Sequence, residues 1–237
     1  KIIMKKVLIT GARKGIGHVL ALKFAIENHA LFLIARDQKK LDNLKDKIKK
    51  INPKLPCHVF SFDLINLDDT VKLIFNIKNK FGSLDVVIHN AGLLINKNFV
   101  KIKKTDLINS FTINYFSPFL ITQKLIPILS KDAHTIFISS VGGLNNSVKF
   151  PGLSSYSSSK GALITLTECL AEEFKMKKFR FNCLALGAVQ TKMLEKAFPG
   201  YKAPLLPNEM ADFIYNFSIN GNKYFNGKVL PVSTSTP

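Results

Sequence analysis

The sequence predicts an α/β fold, a doubly wound and mostly parallel sheet of seven strands flanked by helices. Short apolar runs rich in β-branched and aromatic residues alternate with longer amphipathic stretches. These runs lack the polar alternation of half-exposed strands, which indicates strands buried on both faces. No linker, repeat or low-complexity tract interrupts the pattern. A single domain spanning residues 1–237 therefore accounts for the chain.

The apolar runs place the strands, and the amphipathic stretches place the helices between them. A lysine-rich helix is expected to end at Ile51, and Pro118 and Pro127 should break or kink the longest helical region. In such a sheet, ligands bind at the carboxyl ends of the strands. The predicted strands are 6–10, 31–35, 58–62, 85–89, 135–139, 180–185 and 228–232, and the other predicted helices are 15–28, 67–81, 105–129, 156–175 and 207–217.

Composition limits the class of protein. With 237 residues and 46% hydrophobic content, the chain can fill a core without disulfides. Cys57, Cys169 and Cys183 show no CxxC spacing, and the five histidines are isolated, so we expect a reduced protein without a metal site. No apolar run reaches the roughly 20 residues of a membrane span, and no signal peptide precedes the first strand. A cytoplasmic location is expected.

The formal charge of +18 raises the alternative of nucleic-acid binding. However, 31 of the 34 basic residues are lysine, whereas base-edge recognition favours the bidentate fork of arginine. The lysines are also spread along the chain. We interpret the charge as a solvated surface that would suit anionic substrates or cofactors.

A glycine-rich segment, TGARKGIG (10–17), follows the first predicted strand and opens the first helix. Glycines permit a tight turn, and the helix N-terminus offers free N–H groups to a pyrophosphate. A plain strand-to-helix turn is the alternative, but the position in the first βα unit favours nucleotide binding. The predicted cofactor contacts here are Gly11, Arg13, Lys14, Gly15, Ile16 and Gly17.

The end of the second strand bears on the choice of cofactor. An acidic residue there would bind the adenosine ribose and repel a 2′-phosphate, but this position holds Ala35, followed by Arg36. Together with Arg13 and Lys14, Arg36 can pair with a phosphate, which predicts NADP(H). Asp37 leaves NAD(H) open, since its carboxylate could reach a ribose hydroxyl or instead cap the next helix.

Taken together, the motifs resemble those of the short-chain dehydrogenase/reductase family over essentially the whole chain. TGARKGIG is similar to the family's TGxxxGxG loop, and Tyr156-x-x-x-Lys160 matches its YxxxK signature. The resemblance implies a Rossmann-type fold with further cofactor contacts at Tyr156 and Lys160. It adds contacts in the FDL, HNAG and LGAVQT segments, at Asp63, Leu64, Asn90, Ala91, Gly92, Gly187, Val189 and Thr191.

The same resemblance implies a catalytic set of Asn114, Ser140, Tyr156 and Lys160. Tyr156 and Lys160 are four residues apart and share one helix face, so the ammonium should lower a tyrosine pKa that is normally near 10. Tyr156 would exchange a proton with the substrate, Ser140 would orient the carbonyl oxygen, and Asn114 would hold a water. Ser139 ends the same strand and competes with Ser140 for that role.

The sequence departs from the family pattern at several points. His89 replaces the first Asn of NNAG, for which we expect a packing change, and Leu186 replaces the proline of PGxVxT. Sixteen positions separate Ser140 from Tyr156, a few more than is usual in the family. The substrate site is expected to form from loops 93–98, 141–155 and 187–207. The segment 192–207, which is normally a substrate lid in the family, is short here. Ser154 and Ser155 are expected to cap the Tyr–Lys helix.

The predicted function is an NADP(H)-dependent oxidoreductase that reduces a carbonyl to an alcohol, or the reverse. A 3-oxoacyl thioester is the leading substrate, because a basic surface would suit an acidic carrier protein; a free ketone, a sugar or a pterin stays open. The alternatives are a non-catalytic nucleotide-sensing protein on the same fold and an NAD-dependent alcohol dehydrogenase. The resemblance also implies a homodimer or homotetramer.

Overall fold

The computed structural model describes residues 3–234, whose seven strands form one sheet in the order β3-β2-β1-β4-β5-β6-β7. Every neighbouring pair is parallel. The ends of the predicted domain, residues 1–2 and 235–237, lie outside this range. The strands are β1 Lys6–Thr10, β2 Ala30–Ala35, β3 Cys57–Ser61, β4 Leu84–His89, β5 Leu129–Ser140, β6 Arg180–Leu186 and β7 Val229–Val232.

The strand order confirms the predicted doubly wound sheet. From β1 the chain builds outward to β2 and β3, then returns to place β4 on the other side of β1. The reversal creates a crevice at the carboxyl ends of β1 and β4, where open α/β sheets bind ligands.

Helices cover both faces of the sheet. The predicted helices are present with shifted ends, and α7 is a further short helix inside the expected lid. The helices are α1 Gly15–Ile26, α2 Gln38–Ile51, α3 Thr70–Phe81, α4 Lys104–Phe111, α5 Ser117–Leu125, α6 Ser154–Glu173, α7 Lys192–Ala197 and α8 Pro207–Asn220. No helix among these described residues is both long and apolar enough to cross a membrane.

Alternating side chains of the central strand explain the continuous apolar runs. In β1, Val7 and Ile9 pack in a cluster with residues of α1, α2 and α8, while Leu8 packs on the opposite face with residues of α3 and α5. All three side chains are fully buried. Because both faces are covered, polar residues find no solvent-facing positions in this strand.

The long helical region breaks as its prolines predict, but the break has an additional element. A π-helical turn, Thr112–Phe116, joins α4 to α5. Pro118 is the second residue of α5, which directly follows the π turn, and Pro127 lies in a 3-10 turn, Ile126–Ile128. The π turn carries Asn114 and aims its side chain at a neighbouring loop.

The predicted capping of α6 by serines is wrong. Leu153 is the N-cap residue and makes no side-chain cap bond. Its carbonyl accepts a hydrogen bond from Ser157 N at 2.8 Å, so the helix begins earlier than expected. Ser154 and Ser155 therefore occupy its first turn, and their hydroxyl oxygens are buried without a hydrogen-bond partner among residues 3–234.

Candidate active site

A cavity of about 1210 Å³ opens at the carboxyl ends of β1, β2, β4, β5 and β6. It brings together the glycine loop, the segment after β4, the end of β5, one face of the start of α6, and the segment after β6. All of the predicted site residues line it except Gly17 and Asn114, which lie behind the wall. Residues separated by more than a hundred positions in sequence thus share one crevice.

Close backbone contacts fix the glycine loop. Gly11 has φ +74°, and a Cβ there would lie 2.9 Å from Ala91 Cα. A Cβ on Gly17 would lie 2.7 Å from the carbonyl oxygen of Gly11. Asn90 Nδ2 donates to Thr10 O at 3.0 Å, so the segment after β4 braces the loop after β1. Gly17 therefore serves the loop through packing, although it does not line the cavity.

Five cations line one end of the cavity. Arg13, Lys14 and Arg36 were predicted; Lys40 and Lys192 were missed. Burial lowers the pKa of the Lys14 ammonium, and repulsion from the other four cations lowers it further. A bound anion would reduce this repulsion among the cations, so this end of the cavity is a candidate anion-binding site. The position of Lys40 in the first turn of α2 was a usable signal, since that turn follows the end of β2.

Asp37 caps α2. Its carboxylate accepts a hydrogen bond from Lys40 N at 3.1 Å and pairs with Lys40 Nζ at 3.3 Å. The backbone hydrogen bond from Lys40, followed by that ion pair, holds the pKa of Asp37 below its usual range. Asp37 does not line the cavity, so the structure supports the capping alternative over a ribose contact.

Lys160 is only 3% exposed and has no ion-pair partner among the described residues. Its Nζ donates to Ile138 O at 2.6 Å and lies 5.9 Å from the centre of the Tyr156 ring. Because burial disfavours the charged form, the pKa of Lys160 falls to about 8. The ammonium is thus held beside Tyr156 by a single carbonyl oxygen.

The expected lowering of the Tyr156 pKa is wrong for the protein alone. Burial raises this pKa, and a hydrogen bond with the Ser140 hydroxyl opposes the rise only in part. Desolvation of the phenolate outweighs the nearby ammonium. The phenol of Tyr156 is therefore protonated at neutral pH in the protein alone.

Ser139 and Ser140 point in opposite directions. Ser139 is 3% exposed, and its Oγ donates to Lys160 O at 2.9 Å. The Ser140 hydroxyl accepts a hydrogen bond from Gly142 N at 3.2 Å and interacts with Tyr156 in the cavity. Strand alternation thus places Ser140 toward the reacting groups and Ser139 toward the backbone of α6.

Asn114 is fully buried and braces the loop that follows β4. Its Nδ2 donates to Leu93 O and to Ser159 Oγ, both at 2.9 Å. Its Oδ1 accepts from Leu93 N at 2.8 Å. Because Leu93 follows the NAG segment and Ser159 precedes Lys160, Asn114 connects two walls of the cavity.

His89 packs in the core, outside the cavity lining. Its ring stacks on Phe137 with 5.1 Å between ring centres, and Nε2 lies 2.9 Å from Thr122 Oγ1. Burial lowers the pKa of His89 to about 3, so the ring is neutral. These contacts agree with the predicted packing change.

The segment after β6 contacts β7 and the lid. Gly187 N donates to Val232 O at 2.9 Å, and Val189 forms a bridge with Leu205. Thr191 Oγ1 accepts a hydrogen bond from Leu194 N at 3.3 Å and so caps α7. The resemblance implied a cofactor contact at Thr191; the structure shows that its hydroxyl caps α7.

Comparison with known proteins places the chain in a family. The sequence model of the short chain dehydrogenase family matches residues 5–202. The 3-oxoacyl-[acyl-carrier-protein] reductase FabG of Thermotoga maritima is 27% identical over 96% of both chains. Oxidoreductase UcpA of Salmonella typhimurium is 31% identical, over 82% of this chain and 73% of its own.

Solved structures agree. A short chain dehydrogenase from Shigella flexneri, complexed with NADP, superimposes with a TM-score of 0.88 and 26% identity over 96% of both chains. The fold and the cavity define a dinucleotide-dependent oxidoreductase. The chain belongs to the short-chain dehydrogenase family, which confirms the predicted resemblance, and it acts on alcohol or carbonyl groups.

The position of His89 generates a prediction. His89→Asn restores the family's usual residue but removes the stack on Phe137, so the unfolding free energy at pH 7 should fall by about 1–3 kcal/mol. The affinity for NADPH should change less than about twofold, because the side chain lies outside the cavity. Urea unfolding and NADPH fluorescence titration measure the two quantities.

The same variant should reduce the dependence of stability on pH. A histidine has a pKa of about 6.5 when unfolded, so below that pH the unfolded chain binds a proton that the folded chain with His89 does not. From pH 6.5 to pH 5, wild type should lose about 2 kcal/mol more stability than His89→Asn. A tenfold loss of NADPH affinity in the variant would instead show a cofactor contact.

Proposed function

We propose that the protein is an NADP(H)-dependent oxidoreductase that reduces a carbonyl to an alcohol, or catalyses the reverse reaction. The observation that carries the proposal is the convergence of Tyr156, Ser140 and the buried Lys160 in the cavity that the glycine loop also lines. A non-catalytic sensor would not require a buried ammonium beside a phenol, since that arrangement is costly without chemistry to perform.

The residues fit a dinucleotide phosphate. Gly11 packs without a Cβ against Ala91, which holds the glycine loop at the start of α1, where helix N–H groups can bind a pyrophosphate. The five cations favour a 2′-phosphate, and the Shigella flexneri relative is complexed with NADP. The proposed cofactor contacts are Gly11, Arg13, Lys14, Gly15, Ile16, Gly17, Arg36, Asp63, Leu64, Asn90, Ala91, Gly92, Tyr156, Lys160, Gly187, Val189 and Thr191, with Lys40 and Lys192 added from the structure.

The chemistry divides between cofactor and chain. When bound, the nicotinamide supplies or accepts the hydride. Ser140 donates a hydrogen bond that orients the carbonyl oxygen of the substrate, and Tyr156 gives that oxygen a proton. After Tyr156 has given up its proton, the positive charge of the Lys160 ammonium stabilises the resulting phenolate. Asn114 keeps the two cavity walls in register and is a positioning residue in this mechanism.

A 3-oxoacyl thioester is the substrate we favour. The Thermotoga maritima relative is named for reduction of such a substrate on an acyl carrier protein. The net charge of +18 would complement an acidic carrier and speed its association. Free ketones remain the second class, since the chemistry at Tyr156 is the same for both.

We also propose a cytoplasmic homo-oligomer, a dimer or a tetramer. Four large apolar side chains on and between α4 and α5 are each more than a third exposed, which supports pairing through this surface. These residues are Leu107 at 43%, Ile108 at 47%, Phe116 at 43% and Phe119 at 37%.

The proton-transfer role of Tyr156 is tested by Tyr156→Phe. Removing the hydroxyl should lower kcat for ketone reduction by about 10²- to 10⁴-fold, because the Ser140 hydroxyl, which also contacts the carbonyl oxygen, is too weak an acid to replace the phenol. Affinity for NADPH should remain within a few-fold of wild type. Tyr224→Phe, at an exposed tyrosine outside the cavity, is the matched control. Full turnover in Tyr156→Phe would refute the mechanism.

Cofactor preference is tested by Arg36→Ala. Losing a charge-assisted contact with the 2′-phosphate should reduce the ratio of NADPH to NADH affinity about 10- to 100-fold. Arg180→Ala is the control, since Arg180 contacts Asn222 and Phe179 away from the cavity. Fluorescence titration with both dinucleotides gives the ratio. Tighter binding of NADH by wild type, unaffected by the substitution, would reject the assignment.

A further inference from the structure

Loops 93–98, 141–155 and 187–207 contact one another along one side of the cavity, and together they form what we call the rim. Asn96 Nδ2, in the first loop, donates to Ala197 O on the lid at 2.7 Å. Lys97 N donates to Gly152 O in the loop after β5 at 2.9 Å. Phe150 of that loop meets Phe198 of the lid edge to face, with 6.3 Å between ring centres. Each loop therefore contacts the other two.

The lid is fixed at its base as well as at its tip. Gln190 N donates to Leu205 O at 2.8 Å, and Gln190 Oε1 accepts from Ala203 N at 2.7 Å. These bonds close the lid into a loop whose two ends lie side by side. With its far end held by Asn96 and Phe150, the lid keeps Phe198 over the cavity.

The cavity wall within this rim is apolar. Glu195 lines the cavity, but its carboxylate accepts a hydrogen bond from Gln190 Nε2 at 3.1 Å. Within residues 3–234, the lining residues of loops 93–98 and 141–155 carry no charge, Lys192 is the other charged lining residue of the lid, and Asn109 and Gln190 supply polar amides. The apolar wall consists of Leu94, Ile113, Val141, Phe150, Leu153 and Phe198.

We infer that Phe150 and Phe198 form an aromatic clamp that selects carbonyl substrates bearing an uncharged alkyl or aryl group. A charged or polyhydroxylated group here would lose its hydration without gaining partners, whereas an apolar chain would bury its surface against the two touching rings. The inference rests on the proposed function and narrows its substrate. It favours acyl chains and apolar ketones over sugars and pterins.

The clamp depends on the lengthened loop after β5. Phe150 is 42% exposed and Phe198 is half-buried, so neither ring is needed to fill the core beneath the sheet. Phe150 lies in the stretch between Ser140 and Tyr156 that is longer than usual in the family. The added length places the Phe150 ring opposite the lid. The longer stretch between Ser140 and Tyr156 therefore has a role in substrate specificity.

The test compares two ketones, 2-nonanone and hydroxyacetone, with NADPH saturating. Wild type should show a kcat/KM at least about tenfold higher for 2-nonanone. Phe150→Ala and Phe198→Ala should each raise KM for 2-nonanone about tenfold with kcat within threefold, and should leave hydroxyacetone unchanged. Phe99→Ala, at a 75% exposed phenylalanine outside the cavity, should behave as wild type.

A binding measurement separates this inference from the proposed function. Saturation-transfer NMR should detect 2-nonanone on the protein saturated with NADP⁺, with a weaker signal in Phe150→Ala than in Phe99→Ala. If this difference appears without turnover of any ketone, the proposed function fails and the clamp stands. If wild type turns over or binds both ketones equally, or if Phe150→Ala matches Phe99→Ala, the clamp is refuted. Phe150→Leu, with an intermediate effect expected, replaces Phe150→Ala if that variant melts early.

Discussion

The burial of one ammonium group is the constraint around which the cavity is organised. Lys160 is 3% exposed, has no carboxylate partner among the described residues, and keeps a single carbonyl contact at Ile138 O. Burial of a charge with so few partners is costly, and the pKa near 8 expresses that cost. An ammonium has three donors, and hydroxyl or phenolate oxygens beside Tyr156 can accept from those that do not bond Ile138 O. The free protein is therefore poised to bind such groups beside Tyr156.

The rest of the fold places this ammonium and its neighbours. A parallel sheet directs the loops after β1, β4, β5 and β6 to one edge, and the reversal of strand order leaves a crevice there. Cross-bracing then fixes the loops: Asn90 holds the glycine loop, and Asn114 connects Leu93 to Ser159. The amides of Asn90 and Asn114 thus connect the sheet and its helices to the site. Farther from the sheet, Asn96 of loop 93–98 connects that loop to the lid in the same way, through its hydrogen bond to Ala197 O.

Features encoded in local sequence were predictable. Apolar runs in the sequence predicted the buried strands. The i, i+4 spacing of Tyr156 and Lys160 places both side chains on one face of any helix, so their proximity was predictable once the helix was. Features that depend on distant contacts were not. The Tyr156 pKa depends on how the whole fold desolvates the phenol, and the bond from Asn96 to Ala197 joins residues 101 positions apart. The first residue of a helix is also hard to predict from sequence. Leu153 is the N-cap residue of α6, although the two serines that follow it are better capping residues by type.

The titration of Lys160 in the free protein tests this account most directly. Lysine side chains carrying ¹⁵N and ¹³C can be followed by NMR across pH, and the Lys160 signal is the one lost in Lys160→Met. The account predicts that this signal titrates near pH 8, well below the value of about 10.4 for an exposed lysine. Titration at about 10.4 or above would contradict it, because it would mean that burial does not destabilise the ammonium and that the site holds it without need of a bound group.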